Sequence, residues 1–349
     1  MNIIHAQSRD SQRWDDYVNA HPEGSPYHRY AWKAAMAQAY GLGCDYYIAL
    51  DNDDRIAGVM PTAKVPGLAR RKLCALPYCD LGAPLADSSS VADALVEAAL
   101  ASAGPGTTLE LRASQTTEQA DPEPGSKVRM ILELPPSADA LFEGFKSKHR
   151  SQIRKALKNG LTAETGNNER LVDEFHAIYA RNMRDLGSPP HSRRWHREIA
   201  KCYGDSATVA VVRDGNRAIG AAIVLRAGTR AAIPWASTLR EFNHLAPNML
   251  LYWEVLAACI HHGCTQFDFG RSTFGEGTYR FKAQWGARPI PLDWKTVNAV
   301  ATDSGSRQTI CKPIKDSSQR SSKIAALEGL WRRMPVWLST LTGSLLRRY

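Results

Sequence analysis

Asp268, Arg271, Ser272 and Lys282 hold the most readable chemistry in this 349-residue chain. The first three close the run Phe267-Asp268-Phe269-Gly270-Arg271-Ser272, and Lys282 follows Phe281 a short way on. These residue types suit amide-forming acyl transfer. That reaction sets an amine against an activated carbonyl and needs a positive group facing the oxyanion that develops there. Lys282 is the candidate cation, although a lysine is more often plain surface charge. Asp268 and Arg271 flank the C-terminal end of an expected parallel strand, where open α/β sheets place ligands. Asp268 could take the amine proton or orient the nucleophile; the structural alternative is an ion pair with a neighbouring arginine. Arginine forks suit phosphate, which points Arg271 at a substrate phosphate.

Other candidates are less specific. Arg150, Arg154 and Lys155 share one helical face and could hold a nucleotide diphosphate or a tRNA backbone, or form a solvated face. Asn248, in a helix's first turn, reads as a cap-like contact or a ligand donor. Tyr252 and Trp253 read as core, with a ligand platform as the alternative. Cys259, His261, His262 and Cys264 match no standard zinc spacing, so no metal is expected. Neither a Gly-x-Ser-x-Gly elbow nor a paired Cys/His signature argues for a covalent nucleophile. Gly275-Glu276-Gly277 follows the final strand and is a weak match to a dinucleotide loop.

The elements that must position these residues are written twice. Tyr46–Leu50 meets an acidic turn (Asp51 to Asp54) and returns as Ile56–Met60; Leu76-Pro77-Tyr78, a helix over Val91 to Ala101, and Leu109–Arg112 follow. In the second half Val209–Val212 meets Asp214-Gly215-Asn216 and returns as Ile219–Val224. Ile233-Pro234-Trp235, a helix over Pro247 to Ile260, and Phe267–Arg271 complete the unit. Matched landmarks are offset by 162 residues (Gly58, Gly220), 157 (Pro77, Pro234) and 159 (Arg112, Arg271). Tandem copies of one unit explain this better than coincidence. Each unit reads as antiparallel strands joined by hairpin turns, then a strand-helix-strand passage whose last strand is parallel to its predecessor. The expected fold class is α/β: two mixed sheets with flanking helices. Pro77 and Pro234 each precede an aromatic, Tyr78 or Trp235. A proline inside a sheet makes its strand bulge or part from its neighbour, which opens a slot lined with backbone groups.

The length suits two domains, expected as 1–135 and 136–300, with 301–349 as linker and basic amphipathic C-terminal helix. Val128 to Leu134 reads as a strand, Thr116 to Ser126 as a polar loop, and a helix is expected from Pro135-Pro136 to Asn159-Gly160. A hydrophobic content of 44% with no apolar run of membrane-spanning length describes a soluble globular chain. The start shows no signal peptide and the seven cysteines no disulfide framework, so a cytoplasmic protein is expected. The net charge of +9 is localised, with 14 basic and 5 acidic residues from Arg271 onward. Six Lys or Arg also fall between Lys146 and Lys158. Such clusters fit an anionic partner or a solvated face. Past a polar linker over 301–322, Ile324, Leu327, Leu330, Trp331, Val336, Trp337 and Leu341 alternate with Arg332, Arg333, Arg347 and Arg348. This tail could lie on the inner membrane or dock on the protein as a closing helix.

The run from Phe267 to Ser272, then Gly275-Glu276-Gly277-Thr278-Tyr279-Arg280-Phe281-Lys282 and Trp285-Gly286, resembles the FemAB family of tandem-GNAT acyltransferases. It is most similar to the branch found in exopolysaccharide loci with exosortase (PEP-CTERM) systems. His21-Pro22-Glu23-Gly24, Arg150 through Leu161, Leu186-Gly187-Ser188-Pro189, Ala246 to Glu254 and Trp331 to Pro335 extend the similarity over nearly the whole chain. The resemblance implies two GNAT-like domains, the second catalytic, with Lys282 as the lysine of the family's Phe-Lys pair and Trp235, Tyr279 and Phe281 near the substrate. It implies amide formation on an envelope or exopolysaccharide precursor, either nucleotide- or lipid-linked.

No cofactor is expected to be resident; the acyl donor is a co-substrate. Ordinary GNAT enzymes hold acetyl-CoA pyrophosphate on a Gly-rich turn before the helix that follows the parted strand. Trp235 to Pro247 contains no glycine, and Tyr78 to Val91 only Gly82. That departure favours aminoacyl-tRNA over acyl-CoA or an acyl carrier. The rival from another class is a non-catalytic scaffold for polysaccharide assembly.

Overall fold

The computed structural model describes residues 1–65, 72–114, 122–301, 307–314, 328–329 and 331–346. In the first half β1 (Asn2–His5), α1 (Ser11–Ala20) and α2 (Tyr30–Tyr40) precede a meander of β2 (Cys44–Leu50), β3 (Ile56–Val65) and β4 (Lys72–Cys74). After β5 (Leu85–Ala86), α3 (Ser89–Ala103) crosses to β6 (Thr108–Ser114), which pairs parallel to β4. β7 (Lys127–Glu133) lies at the junction of the halves, and α4 (Ala138–Gly144) and α5 (Ser147–Lys158) open the second. Next come β8 (Leu161–Gly166), α6 (Glu169–Leu186) and α7 (Arg193–Tyr203), then the antiparallel strands β9 (Ala207–Asp214), β10 (Arg217–Ala227) and β11 (Arg230–Thr238). α8 (Pro247–His261) crosses to β12 (Gln266–Thr273), parallel to β11. α9 (Gly277–Ala283), β13 (Arg288–Ala301), β14 (Arg307–Pro313) and α10 (Val336–Leu346) end the described chain.

The strands form one sheet ordered β1-β2-β3-β4-β6-β13-β7-β12-β11-β10-β9-β8. β13 lies antiparallel to both β6 and β7 and so welds the two halves together. Alternation explains the layers: Val209, Val211, Ala221 and Ile223 face one core, while Ala210, Val212, Ala222 and Val224 face the other. The first of these cores is shared between the halves. Trp32 of α2 packs edge-on against Trp195 of α7 at 5.2 Å and stacks on Trp235 at 6.2 Å. Arg230 adds a polar tie by donating to the carbonyls of Val18, Asn19, His21 and Pro22. That tie accounts for His21-Pro22-Glu23-Gly24, whose Gly24 has no space for a side chain: a Cβ there would lie 1.9 Å from the Val18 carbonyl.

Several local expectations are corrected. Leu76-Pro77-Tyr78 is a turn past the end of β4, with Tyr78 at φ 71°. The helix expected from Pro135 to Gly160 breaks at Phe145, which is extended and buries its ring. Part of the expected linker, Arg307–Pro313, is β14, paired with β13. The tail, by contrast, takes one of its two expected places and docks on the protein: Arg184 of α6 donates to the Met334 carbonyl at 3.3 Å, and Gly343 of α10 abuts Pro190. Thr116 to Asp121, the remaining linker residues 302–306 and 315–322, and Ile324, Leu327, Leu330, Arg347 and Arg348 lie outside the described residues. Among the described residues no helix is long and apolar enough to cross a membrane.

Candidate active site

The parallel pair β11–β12 is hydrogen-bonded only at Arg230–Gln266, Ala231–Phe267 and Ala232–Asp268, although both strands run on. Pro234 is the cause. Ile233 and Pro234 together oppose Val224 of β10, a bulge that turns β11 away from β12. From Ile233 onward the edge of β11 toward β12 carries no ladder, leaving backbone groups for a ligand. The first half parts at the matching place, after Cys74 and Glu110, but its gap is filled. The chain folds back so that Gly82 exchanges both backbone hydrogen bonds with Arg112, at 2.7 and 3.1 Å. One slot is therefore open and the other is plugged.

β12 carries its own bulge where Phe269 and Gly270 together oppose Met130 of β7. Gly270 sits at φ 74°, a conformation other residues adopt only with strain. The turn is held by Asp268, whose carboxylate accepts from the Gly270 N–H at 2.8 Å and pairs with Arg129 at 3.0 Å. The bulge delivers two carbonyls to Lys282 on α9: its Nζ donates to Gly270 at 3.0 Å and Arg271 at 2.8 Å. An ammonium has three donors, so one is left to meet a ligand. Lys282 is only 9% exposed. Burial pushes its amine from 10.5 down to about 8, against the pull of Asp268 and Asp80, while Arg271 adds to the fall.

Lys282 lines a cavity of about 910 Å³ that runs between the two parted strand pairs. Pro234, Trp235, Tyr252 and Phe269 form its second-half wall. Tyr252 stacks on Phe269 at 5.5 Å and meets Phe281 edge-on at 5.1 Å, and burial raises its phenol to about 12. Tyr252 is thus core and wall at once, and Phe281 supports it from behind. The first half supplies Lys72, Tyr78, Asp80, Glu110 and Arg112. Asp80 reaches across to the Arg271 guanidinium at 3.5 Å and its N–H at 3.3 Å. Trp294 of β13 lies between the halves, with Arg112 over its ring at 4.7 Å and Arg271 at 4.9 Å. The two arginines offset by 159 residues thus share one indole.

Some expected site residues are elsewhere. Arg150 donates to the Glu143 and Phe145 carbonyls, closing the end of α4, while Arg154 covers the Phe142 ring at 5.1 Å. Lys155 is exposed on the same helix, and none of the three lines the cavity. Asn248 makes no cap bond, since Ala246 occupies the cap position with φ 62°. Ser272 is buried with its hydroxyl unpartnered among the described residues, and Tyr279 packs on Phe274 at 4.7 Å. Asp268, expected as a catalytic residue, is engaged by Arg129 and the Gly270 N–H and is outside the cavity wall. No group of three or more His, Cys, Asp or Glu able to hold a metal occurs among the described residues. The connection from β11 to α8 is a 3-10 turn, Arg240–Leu245, without the glycine cradle that a pyrophosphate takes.

Residues 145–283 match the family described as an acetyltransferase (GNAT) domain. The fold is similar to FemX (TM-score 0.63, 15% identity, 83% of this chain and 95% of that one). It is also similar to a tandem GNAT protein from the clavulanic acid biosynthesis pathway (0.51, 12%, 84% and 97%). A third similar structure is the C-terminal domain of a putative lysylphosphatidylglycerol synthetase from Agrobacterium fabrum (0.53, 14%, 82% and 92%). No curated protein sequence matches the chain. The chain has a tandem GNAT fold. It is an acyltransferase, by virtue of the acetyltransferase domain over residues 145–283.

Proposed function

We propose that this acyltransferase forms an amide bond on an envelope or exopolysaccharide precursor, with aminoacyl-tRNA as donor, as a FemAB-type enzyme does. The observation that carries the reading is the coincidence of an open slot past Ala232 and Asp268 with a buried, partly satisfied ammonium at Lys282. The donor's carbonyl lies in the slot along β11, and an acceptor amine enters from the cavity. The amine nitrogen attacks the carbonyl carbon, and the ester bond to the ribose oxygen breaks. The proton lost by the amine ends on that oxygen. Lys282 donates its remaining N–H to the oxyanion of the intermediate. With its pKa near 8 the Lys282 amine is charged at neutral pH, yet gives a proton to the leaving oxygen and takes the one the acceptor amine loses, so the net transfer is one proton and Lys282 ends charged as it began. Arg271, partly exposed beside Trp294, faces a phosphate of donor or acceptor.

The domain division follows from this reading: the half after residue 135 carries the chemistry, and the half before it, with its slot plugged by Gly82, shapes the acceptor side. A glycine-free turn before α8 supports a donor not held by its pyrophosphate. The test is transfer of label from charged tRNA or from acyl-CoA to a nucleotide- and lipid-linked glycan fraction, followed by mass spectrometry of the product. Label arriving from tRNA as a base-stable amide is expected. Transfer from acyl-CoA alone would move the donor to CoA. No transfer from either, with assembly of the polysaccharide unaffected by Lys282→Ala, would favour a scaffold.

A further inference from the structure

Six large apolar side chains are exposed among the described residues, and three of them lie on α10: Trp337 (69%), Leu341 (57%) and Leu346 (54%). Trp337 and Leu341 are four residues apart and share a face. The opposite face, through the buried Ser339 and Gly343, packs toward α6 and Pro190. The tail therefore docks and still presents an uncovered apolar stripe. Its charge is largely one-sided: residues 328–349 contain Arg332, Arg333, Arg347 and Arg348 against a single acid, Glu328, which pairs with Arg332 at 3.7 Å and leaves Arg333 without that neutralisation. Arg332 and Arg333 are exposed. Leu346, at the other end of the helix, belongs to the wall of the Lys282 cavity.

We propose that the outward face of α10, with its flanking arginines, docks on an anionic lipid bilayer and holds the mouth of the Lys282 cavity against the membrane. An indole and a leucine on one side of a docked helix, beside arginines, make the chemistry of an interfacial anchor: apolar contact at the headgroup boundary plus attraction to anionic lipid. A second copy of the chain fits less well. A two-fold contact would set these arginines against their own images, and two large side chains fall far short of the roughly 800 Å² per partner of a stable interface. The lipid contact stands on these residues alone. Its consequence, that the acceptor arrives on a lipid carrier, rests on the acyl-transfer reading.

The test is sedimentation of the full chain with vesicles of phosphatidylcholine, with and without about 30% phosphatidylglycerol. Binding to the anionic vesicles is expected, falling about tenfold in high salt. A similar loss is expected for Trp337→Ser with Leu341→Ser, and for Arg332→Gln with Arg333→Gln, with circular dichroism unchanged. Equal sedimentation with and without anionic vesicles overturns the proposal. So does binding by both double variants at the unaltered level, or a shift from dimer to monomer in Trp337→Ser/Leu341→Ser without vesicle binding. No donor or acceptor enters this assay, so its failure leaves the transfer reaction standing, and the converse holds too.

Discussion

Lys282→Met removes the ammonium and keeps most of the side chain's volume. At neutral pH two effects on stability oppose each other. Desolvation that moves the amine from 10.5 to about 8 corresponds to about 3 kcal/mol against folding with the charge in place. Removing the amine relieves that cost but takes the donor away from the Gly270 and Arg271 carbonyls, at about 1–3 kcal/mol each. The net change should be small, with Tm moving by a few degrees. The rate has no such compensation. One lost oxyanion donor lowers the single-turnover rate of label transfer about 100- to 1000-fold. The amine also predicts two pH profiles. The wild-type rate loses its cation as pH rises through about 8. Stability moves the other way: between about pH 8 and 10.5 the unfolded chain still binds the proton that the folded chain has released, so stability rises with pH over that window. Lys282→Met should abolish that rise in urea titrations. A variant with a rate within threefold of wild type and an unchanged stability slope would refute the reasoning.

Asp268→Asn should cost about 1–3 kcal/mol in urea unfolding, because it takes the carboxylate from the half-buried Arg129 and loosens the bulge at Gly270. Its transfer rate should also fall, which a purely remote ion pair would not produce. Gly24→Ala, read by the same titration, should cost about 1–3 kcal/mol while leaving the rate per folded molecule unchanged, since its Cβ meets the Val18 carbonyl and the Arg230 guanidinium, neither of which lines the Lys282 cavity.

The repeat was legible because hairpin turns, the two prolines and the strand-helix-strand passages are local signals, and the parallel pairs β4–β6 and β11–β12 follow from them. Pro234 gave the slot away in the same manner. Pro77 did not behave alike: it falls in a turn, and what fills the first gap is Gly82 returning to Arg112, a contact no pattern around Pro77 announces. Lys282 was found through its motif, but its burial and its two carbonyl partners depend on the bulge at Gly270. Arg150, Arg154 and Lys155 leave both readings open in the sequence, because a basic helical face looks alike whether it binds phosphate or closes a helix end. Trp294, Asp80 and Lys72 carried no local signal; β13 and the first half bring them to the cavity from far along the chain. Arg112 was visible only as the counterpart of Arg271.

The central claim, that the parted edge of β11 receives the acyl donor, is tested most directly by amide hydrogen exchange across Arg230–Thr238 with and without a non-hydrolysable aminoacyl-tRNA analogue or an acyl-CoA. Saturating donor should slow exchange at Ile233, Trp235 and Ala236 and leave the matching first-half segment around Gly82 unaltered. Donor binding with no added protection in β11, or with protection centred on Gly82, would contradict the account.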